Sequence, residues 1–148
     1  MNVKIKKLSD NAMIPVRATE GSAGYDLYPA ITEEITLYPG QSYPFPTGLA
    51  IEIPSEDCAA LIYARSGLAT KQGIVPANCV GVVDSDYRGE IKVCLKNLSD
   101  KPYTIKPGER IAQLIFTPVI IPQLTESDEL DETKRGDGGF GSTDRDRR

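Results

Sequence analysis

The sequence predicts an all-β domain, a sandwich or barrel of short strands, on three observations. Its 13 glycines and 11 prolines cut the chain into short pieces. No uninterrupted piece sustains the 3.6-residue apolar period of an amphipathic helix. Where apolar residues do recur, they alternate: Ile91, Val93 and Leu95 face one way while Lys92, Cys94 and Lys96 face the other. Many short alternating strands with Pro and Gly between them belong to all-β architectures.

Taken in order, the segments that read as strands are Asn2 to Lys6, Glu34 to Leu37, Leu49 to Ile53, Ala59 to Tyr63, Ile91 to Lys96, Tyr103 to Ile105 and Arg110 to Phe116. Turns at Pro39-Gly40 and Pro107-Gly108 separate some of them. One short helix is expected from Ser66 through Gly67 to Gln72. The character of the chain then changes. Residues 123–134 carry Glu126, Asp128, Glu129, Asp131 and Glu132 with little apolar patterning, which reads as a solvated acidic linker. After it comes RGDGGFGSTD, Arg135 to Asp144. The expected organisation is a β domain over 1–122, an acidic linker over 123–134 and a glycine-rich arm over 135–148 that must reach something.

A length of 148 residues favours one domain, and 40 % hydrophobic residues supply one real core. The net charge of −4 disfavours holding a long nucleic acid by counterion release. A small anionic ligand remains open if a few arginines converge. The segment Met1 to Lys7 lacks the apolar run of a signal peptide, and no stretch reads as a membrane span, so a cytoplasmic location is expected. Cys58, Cys79 and Cys94 are too far apart for a metal knuckle or a C-x-x-C pair, and each reads as a small buried apolar residue. Histidine is absent, so a Ser-His or Cys-His couple is excluded and a general base must be a carboxylate, a lysine or a similar group.

Five segments carry possible chemistry. Gly136 to Gly141 matches G-x-G-x-x-G, but too few residues follow for the helix and second strand of a dinucleotide fold. The integrin-type tripeptide Arg135-Gly136-Asp137 and the glycosylation sequon Asn97-Leu98-Ser99 need a secreted protein, which is not expected here. What survives at the arm is either a phosphate cradle of backbone amides, arginine and the Ser142 and Thr143 hydroxyls, or a plain glycine-rich tail. ARSGLA, Ala64 to Ala69, is either an anion site at a helix start or an ordinary N-cap serine beside a surface arginine. GVVDSDYRGEI, Gly81 to Ile91, sets Asp84, Asp86 and Glu90 around a hairpin tip, as a metal-binding element or a polar turn. AGYDLYPA, Ala23 to Ala30, puts Asp26 among apolar residues, where a carboxylate needs a partner. GERIAQLIF, Gly108 to Phe116, is an alternating strand with Arg110 and Gln113.

None of these is decisive singly; their order is. AGYDLYP, RSGLA, GVVDSDYRGEI, GERIAQLIF and RGDGGFGST resemble, in sequence and spacing, the five motifs of the trimeric dUTP diphosphatase family. The resemblance runs from about Ala23 to Thr143. Ala64 departs from it, standing where the family commonly has proline, which bears on local stiffness rather than chemistry.

The resemblance implies a jelly-roll-like, distorted β-barrel of the β-clip type, with at most one short helix. It also implies a homotrimer with an exchanged C-terminal arm and three active sites where subunits meet. The implied reaction is dUTP to dUMP and pyrophosphate, which keeps uracil out of DNA and supplies dUMP for thymidylate synthesis. On this resemblance Asp84 activates the water. Asn78, Gly81, Val82 and Val83 hold the uracil and sugar, and Tyr87 presses on the deoxyribose and leaves no room for a 2′-hydroxyl. Lys92 matches a substrate-contacting position. Arg65, Ser66, Gly67 and Gln113 of a neighbour reach the phosphates. Arg135, Phe140, Gly141, Ser142 and Thr143 close from the third subunit, with Phe140 stacked over the base. Cytosine would leave buried groups mismatched at roughly 1–3 kcal/mol each. Mg2+ is expected on the phosphates and water, with no direct protein ligand. Asp26 either assists through water or holds structure, the latter preferred; Asp86 stands outside the catalytic set, and Arg110 serves either phosphates or the trimer interface. Rival readings are a dCTP deaminase-like enzyme, a nucleotide-gated regulatory protein on the same fold, and a purely structural β-trimer. The last gives no reason for the arm.

Overall fold

A computed structural model describes residues 1–139. Eleven strands and one helix follow one another in the order β1 (Lys4–Lys7), β2 (Tyr25–Leu27), β3 (Ile35–Leu37), β4 (Ser42–Pro46), β5 (Leu49–Glu52), β6 (Cys58–Tyr63), α1 (Ser66–Gln72), β7 (Ile74–Pro76), β8 (Gly81–Val83), β9 (Lys92–Asn97), β10 (Tyr103–Ile105) and β11 (Ala112–Pro118). They form four antiparallel sheets, ordered β2-β11-β6-β8, β4-β9-β7, β1-β5 and β10-β3. One apolar core runs between them, with Leu27, Leu37, Phe45, Leu49, Leu95 and Ile105 at its centre.

The alternation that predicted β9 is the one observed. Ile91, Val93 and Leu95 are buried, and the period continues to Asn97, which is buried as well. Four strands were not expected: β2, β4, β7 and β8. Two of them contain proline, which lacks an N–H and argues against a strand when read alone. The sheet order supplies the reason they are tolerated. β4, with Pro44 and Pro46, and β7, with Pro76, are the two outer strands flanking β9. An outer strand has one edge that needs no ladder bonds, so the missing donors cost nothing there.

Helix α1 covers the expected span. It stops at Gly73, which takes the left-handed conformation (φ 67°) and donates its N–H back into the last turn. A β-carbon there would stand 2.9 Å from the Ser99 backbone nitrogen, so both conformation and space call for glycine. Ser66 is not the N-cap. Arg65 holds that position in an extended conformation with no side-chain cap bond, and Ser66 is the first helical residue.

Asn97 ties three segments together. Its Nδ2 donates to the carbonyls of Leu37 (2.8 Å) and Lys101 (2.7 Å), and its Oδ1 accepts from the Ser99 N–H (2.9 Å) and hydroxyl (2.8 Å). The sequon it belongs to is therefore a folding element, since its amide is fully committed inside the core. Asn97→Ala should strand these partners at roughly 1–3 kcal/mol for each buried group left unpaired. Chemical denaturation should register the loss as a lower midpoint with an unchanged slope.

Candidate active site

The segment from Gly81 to Ile91 does not form the ladder hairpin that its sequence suggests. β8 pairs with β6, whereas β9 pairs with β4 and β7. The two strands therefore diverge into different sheets. The connection between them turns at Asp84, whose carbonyl accepts the Tyr87 N–H at 3.2 Å. Arg88 pins that turn by donating to the carbonyls of Ser85 and Tyr87. The far end is tied to the core: the Thr47 hydroxyl donates to the Ile91 carbonyl (2.6 Å), and the Gly48 N–H donates to Glu90 Oε1 (2.9 Å).

Divergence opens a pocket of about 530 Å³, lined by Ile62, Asn78, Gly81, Val82, Val83, Asp84, Tyr87, Glu90, Ile91 and Lys92. That volume suits a small-molecule ligand. Seven of the sequence-derived site residues meet here: Asn78, Gly81, Val82, Val83, Asp84, Tyr87 and Lys92. Val82 is 62 % exposed in the middle of a strand, an apolar surface held open. Asp84 is exposed, and Lys92 leans toward Glu90 at 3.7 Å. Tyr87 donates its hydroxyl to the Glu90 carbonyl at 3.0 Å, which folds its ring across Gly89. A β-carbon on Gly89 would run into the Tyr87 ring. Asn78 stands beside Cys79, whose backbone is left-handed (φ 63°) and whose thiol-bearing residue is exposed rather than buried. Cys58 is buried and Cys94 half-buried.

Ile62 and Ile91 line the pocket without having been given a site role from sequence, and so does Glu90, which was named only within a possible metal-binding element or polar turn. Glu90 lay within the quoted motif, and its tie to Gly48, 42 positions away, was the missing signal. Asp86 is exposed and does not line the pocket.

A second polar cluster lies on the same four-stranded sheet. Register places Asp26 opposite Gln113, and Gln113 opposite Tyr63, so these share one face. Asp26 is only 8 % exposed and pairs with two arginines, Arg65 (Nε to Oδ1, 2.9 Å) and Arg110 (Nη1 to Oδ2, 3.3 Å). Gln113 donates to the Ala64 carbonyl at 2.8 Å. Gly24 packs closely beside it: a β-carbon there would stand 2.6 Å from Gln113 Oε1 and displace that side chain. Ser66 and Gly67 are exposed at the start of α1, and a β-carbon on Gly67 would meet nothing within 4 Å. Arg65, Ser66, Gly67 and Gln113 do not line the Asp84 pocket of the same chain. Arg135 is exposed and donates to the Gly138 carbonyl within its own turn. Phe140, Gly141, Ser142 and Thr143 lie outside the described residues.

A nucleoside-sized slot with an exposed carboxylate, and arginines gathered on the adjoining sheet face, define an all-β protein built to take a phosphorylated small molecule. The chain belongs to the dUTPase family, whose sequence profile matches residues 10–144. It is 53 % identical over 130 residues to the deoxyuridine 5′-triphosphate nucleotidohydrolase of Desulfitobacterium hafniense (strain DSM 10664 / DCB-2), covering 88 % of this chain and 86 % of that one. Over 147 residues it is 47 % identical to the enzyme of the same name from Neisseria meningitidis serogroup A, covering 97 % and 98 %. Among solved structures, a mutant dUTPase of Staphylococcus bacteriophage 80alpha in complex with dUpNHpp superposes with a TM-score of 0.86 at 30 % identity, covering 96 % of this chain and 98 % of that one. A mutant dUTPase of Staphylococcus aureus phage phi11, described as coordinating a structural Mg(II) ion, gives 0.80 at 26 % identity, covering 89 % and 100 %. The all-β fold with one short helix expected from sequence is the fold these structures share.

Gly89→Ala should push the Tyr87 ring out of its place across the turn. Nucleotide binding at the pocket, followed by calorimetry, should weaken while thermal stability changes little, since both residues are exposed.

Proposed function

We propose that the chain hydrolyses dUTP to dUMP and pyrophosphate, with Asp84 as the base, at sites completed by the subunits of a homotrimer. The observation that carries this reading is Asp84, exposed in a pocket between diverging strands of a dUTPase-family chain. Asp84 takes a proton from a water molecule as its oxygen bonds to the α-phosphorus. The bond from that phosphorus to the bridging oxygen breaks, and pyrophosphate leaves. With histidine absent, a carboxylate base fits, and the rest of the task is positioning and charge neutralisation.

The base is read by the slot itself. Asn78 and the backbone of Gly81 to Val83 face the uracil edge, a narrow wall rejects the 5-methyl of thymine, and the Tyr87 ring against the sugar rejects a ribonucleotide. Lys92 adds a positive charge at the pocket wall. Arg65, Ser66, Gly67 and Gln113 of a neighbouring subunit serve the phosphates. Two features favour that division. These residues are absent from the pocket lining of their own chain. The sheet face that carries Gln113 also leaves Leu61, Tyr63 and Ile115 half-exposed and Val82 exposed, apolar surface suited to cover by another subunit. We read 1–122 as the barrel and 123–134 as the acidic linker; the glycine-rich segment 135–148, which begins at Arg135, would supply further substrate-binding groups, its Phe140, Gly141, Ser142 and Thr143 lying outside the described residues.

Mg2+ would sit on the phosphates with water and spread their charge; it prefers oxygen ligands and keeps several waters. We propose a cytoplasmic location for the protein.

One assay tests the whole reading: pyrophosphate release from dUTP, dTTP, dCTP and UTP, with and without Mg2+. Only dUTP with Mg2+ should turn over quickly; dUMP appearing from dCTP would favour a deaminase instead. Asp84→Asn should reduce turnover by orders of magnitude and leave dUTP affinity nearly unchanged, because a base acts in the transition state. A parallel fall of rate and affinity would make Asp84 a binding residue.

A further inference from the structure

The cluster around Asp26 holds more order than surface arginines need. Asp26 is nine-tenths buried, and its backbone N–H is also fixed, donating to the Val16 carbonyl at 2.9 Å. Each carboxylate oxygen has its own guanidinium, Arg65 on Oδ1 and Arg110 on Oδ2. Arg65 is held at a second point, with Nη1 donating to the Arg110 carbonyl at 3.3 Å. The guanidinium is thus restrained by the ion pair at Nε and by one hydrogen bond from Nη1. Its remaining nitrogen, Nη2, has no hydrogen-bond partner among the described residues. The side chain of Arg65 is 27 % exposed, and the next two residues, Ser66 and Gly67, are exposed as well.

We infer that Asp26 is a positioning residue: it clamps Arg65, with Arg110 locking the carboxylate, so that the free edge of Arg65 is aimed at the polyphosphate before substrate arrives. This rests on the proposed dUTP reaction and deepens it. The charge count is compatible, since two guanidiniums against one carboxylate leave one positive charge for the incoming anion. Pre-aimed donors cost no reorganisation at the moment of reaction.

Charge and geometry predict opposite outcomes, which makes the clamp testable. Asp26→Asn removes a negative charge beside two arginines. If Asp26 acted only through charge, a polyphosphate would bind more tightly to the variant. If it acts by holding Arg65, the polyphosphate loses a fixed donor and binds more weakly. Calorimetry with dUpNHpp and with dUMP separates the two. For Asp26→Asn the dUpNHpp dissociation constant should rise roughly tenfold, the scale of one charge-assisted contact, while that for dUMP changes much less. Turnover of dUTP should fall by roughly 10²-fold, as misplaced groups do. Arg110→Gln should reproduce the selective loss in weaker form, without touching Arg65 directly. Tighter dUpNHpp binding, or equal weakening of both ligands with a lower melting temperature, would overturn the clamp. So would full recovery of dUpNHpp affinity at raised Mg2+, which would assign Asp26 to the metal. Wild-type protein that binds neither nucleotide would defeat the dUTP reading and the clamp with it. Wild-type binding with an unchanged preference in Asp26→Asn would defeat the clamp alone.

Discussion

The register of β6 is the constraint on which the rest depends. This strand is paired along both edges, to β11 on one side and β8 on the other. Its pairing with β11 runs six residues, from Tyr63 against Gln113 to Cys58 against Pro118. Because side chains alternate, that register decides what each face carries. Ala60 and Ile62 point into the core with Leu114 and Val83, while Tyr63 stands with Gln113 and Asp26 on the outward face. A slip by one residue would put Gln113 into the core and pull Leu114 out. The arginine cluster and the pocket wall would be lost together.

The same strand explains why the pocket exists. β8 follows β6 into one sheet, and β9 is drawn into another by its pairings with β4 and β7. The chain from 84 to 91 must bridge the gap, and Thr47, Gly48 and Leu49 hold its far end. A closed hairpin would have filled the space with its own ladder. Separation of the strands leaves room for a nucleoside and presents Asp84 at the turn.

Much of this was legible beforehand. Period-two alternation identified β9 and most of β11, because burial of one face imposes it directly, and β5 and most of β6 were read as short apolar strands. The span of α1 was legible from local sequence, while its stop at a left-handed Gly73 came from the structure. The edge strands β4 and β7 were not legible, since proline argues against a strand unless the sheet order is known. Asp26 could be read as needing a partner, because a carboxylate among apolar residues must have one. Which partner could not be read: Arg65 and Arg110 are 39 and 84 positions from Asp26, and only the fold brings both to its two oxygens. Glu90 was named at the hairpin tip, but its bond to Gly48 was illegible for the same reason, being long-range.

By itself, then, the sequence determined the all-β class, the single helix, the set of chemical groups and, through five ordered motifs, the dUTPase family. Those are properties of local pattern and residue type, which survive without knowing where distant segments meet. Only the tertiary structure decided that β8 and β9 separate rather than pair, that Cys79 is exposed in a left-handed turn, and that Asp26 stands between two arginines. It also decided that the Asp84 pocket and the Arg65 group do not share a lining within one chain. Each of these depends on strand register and sheet order, which are set by contacts between residues far apart in sequence, and no local pattern encodes them.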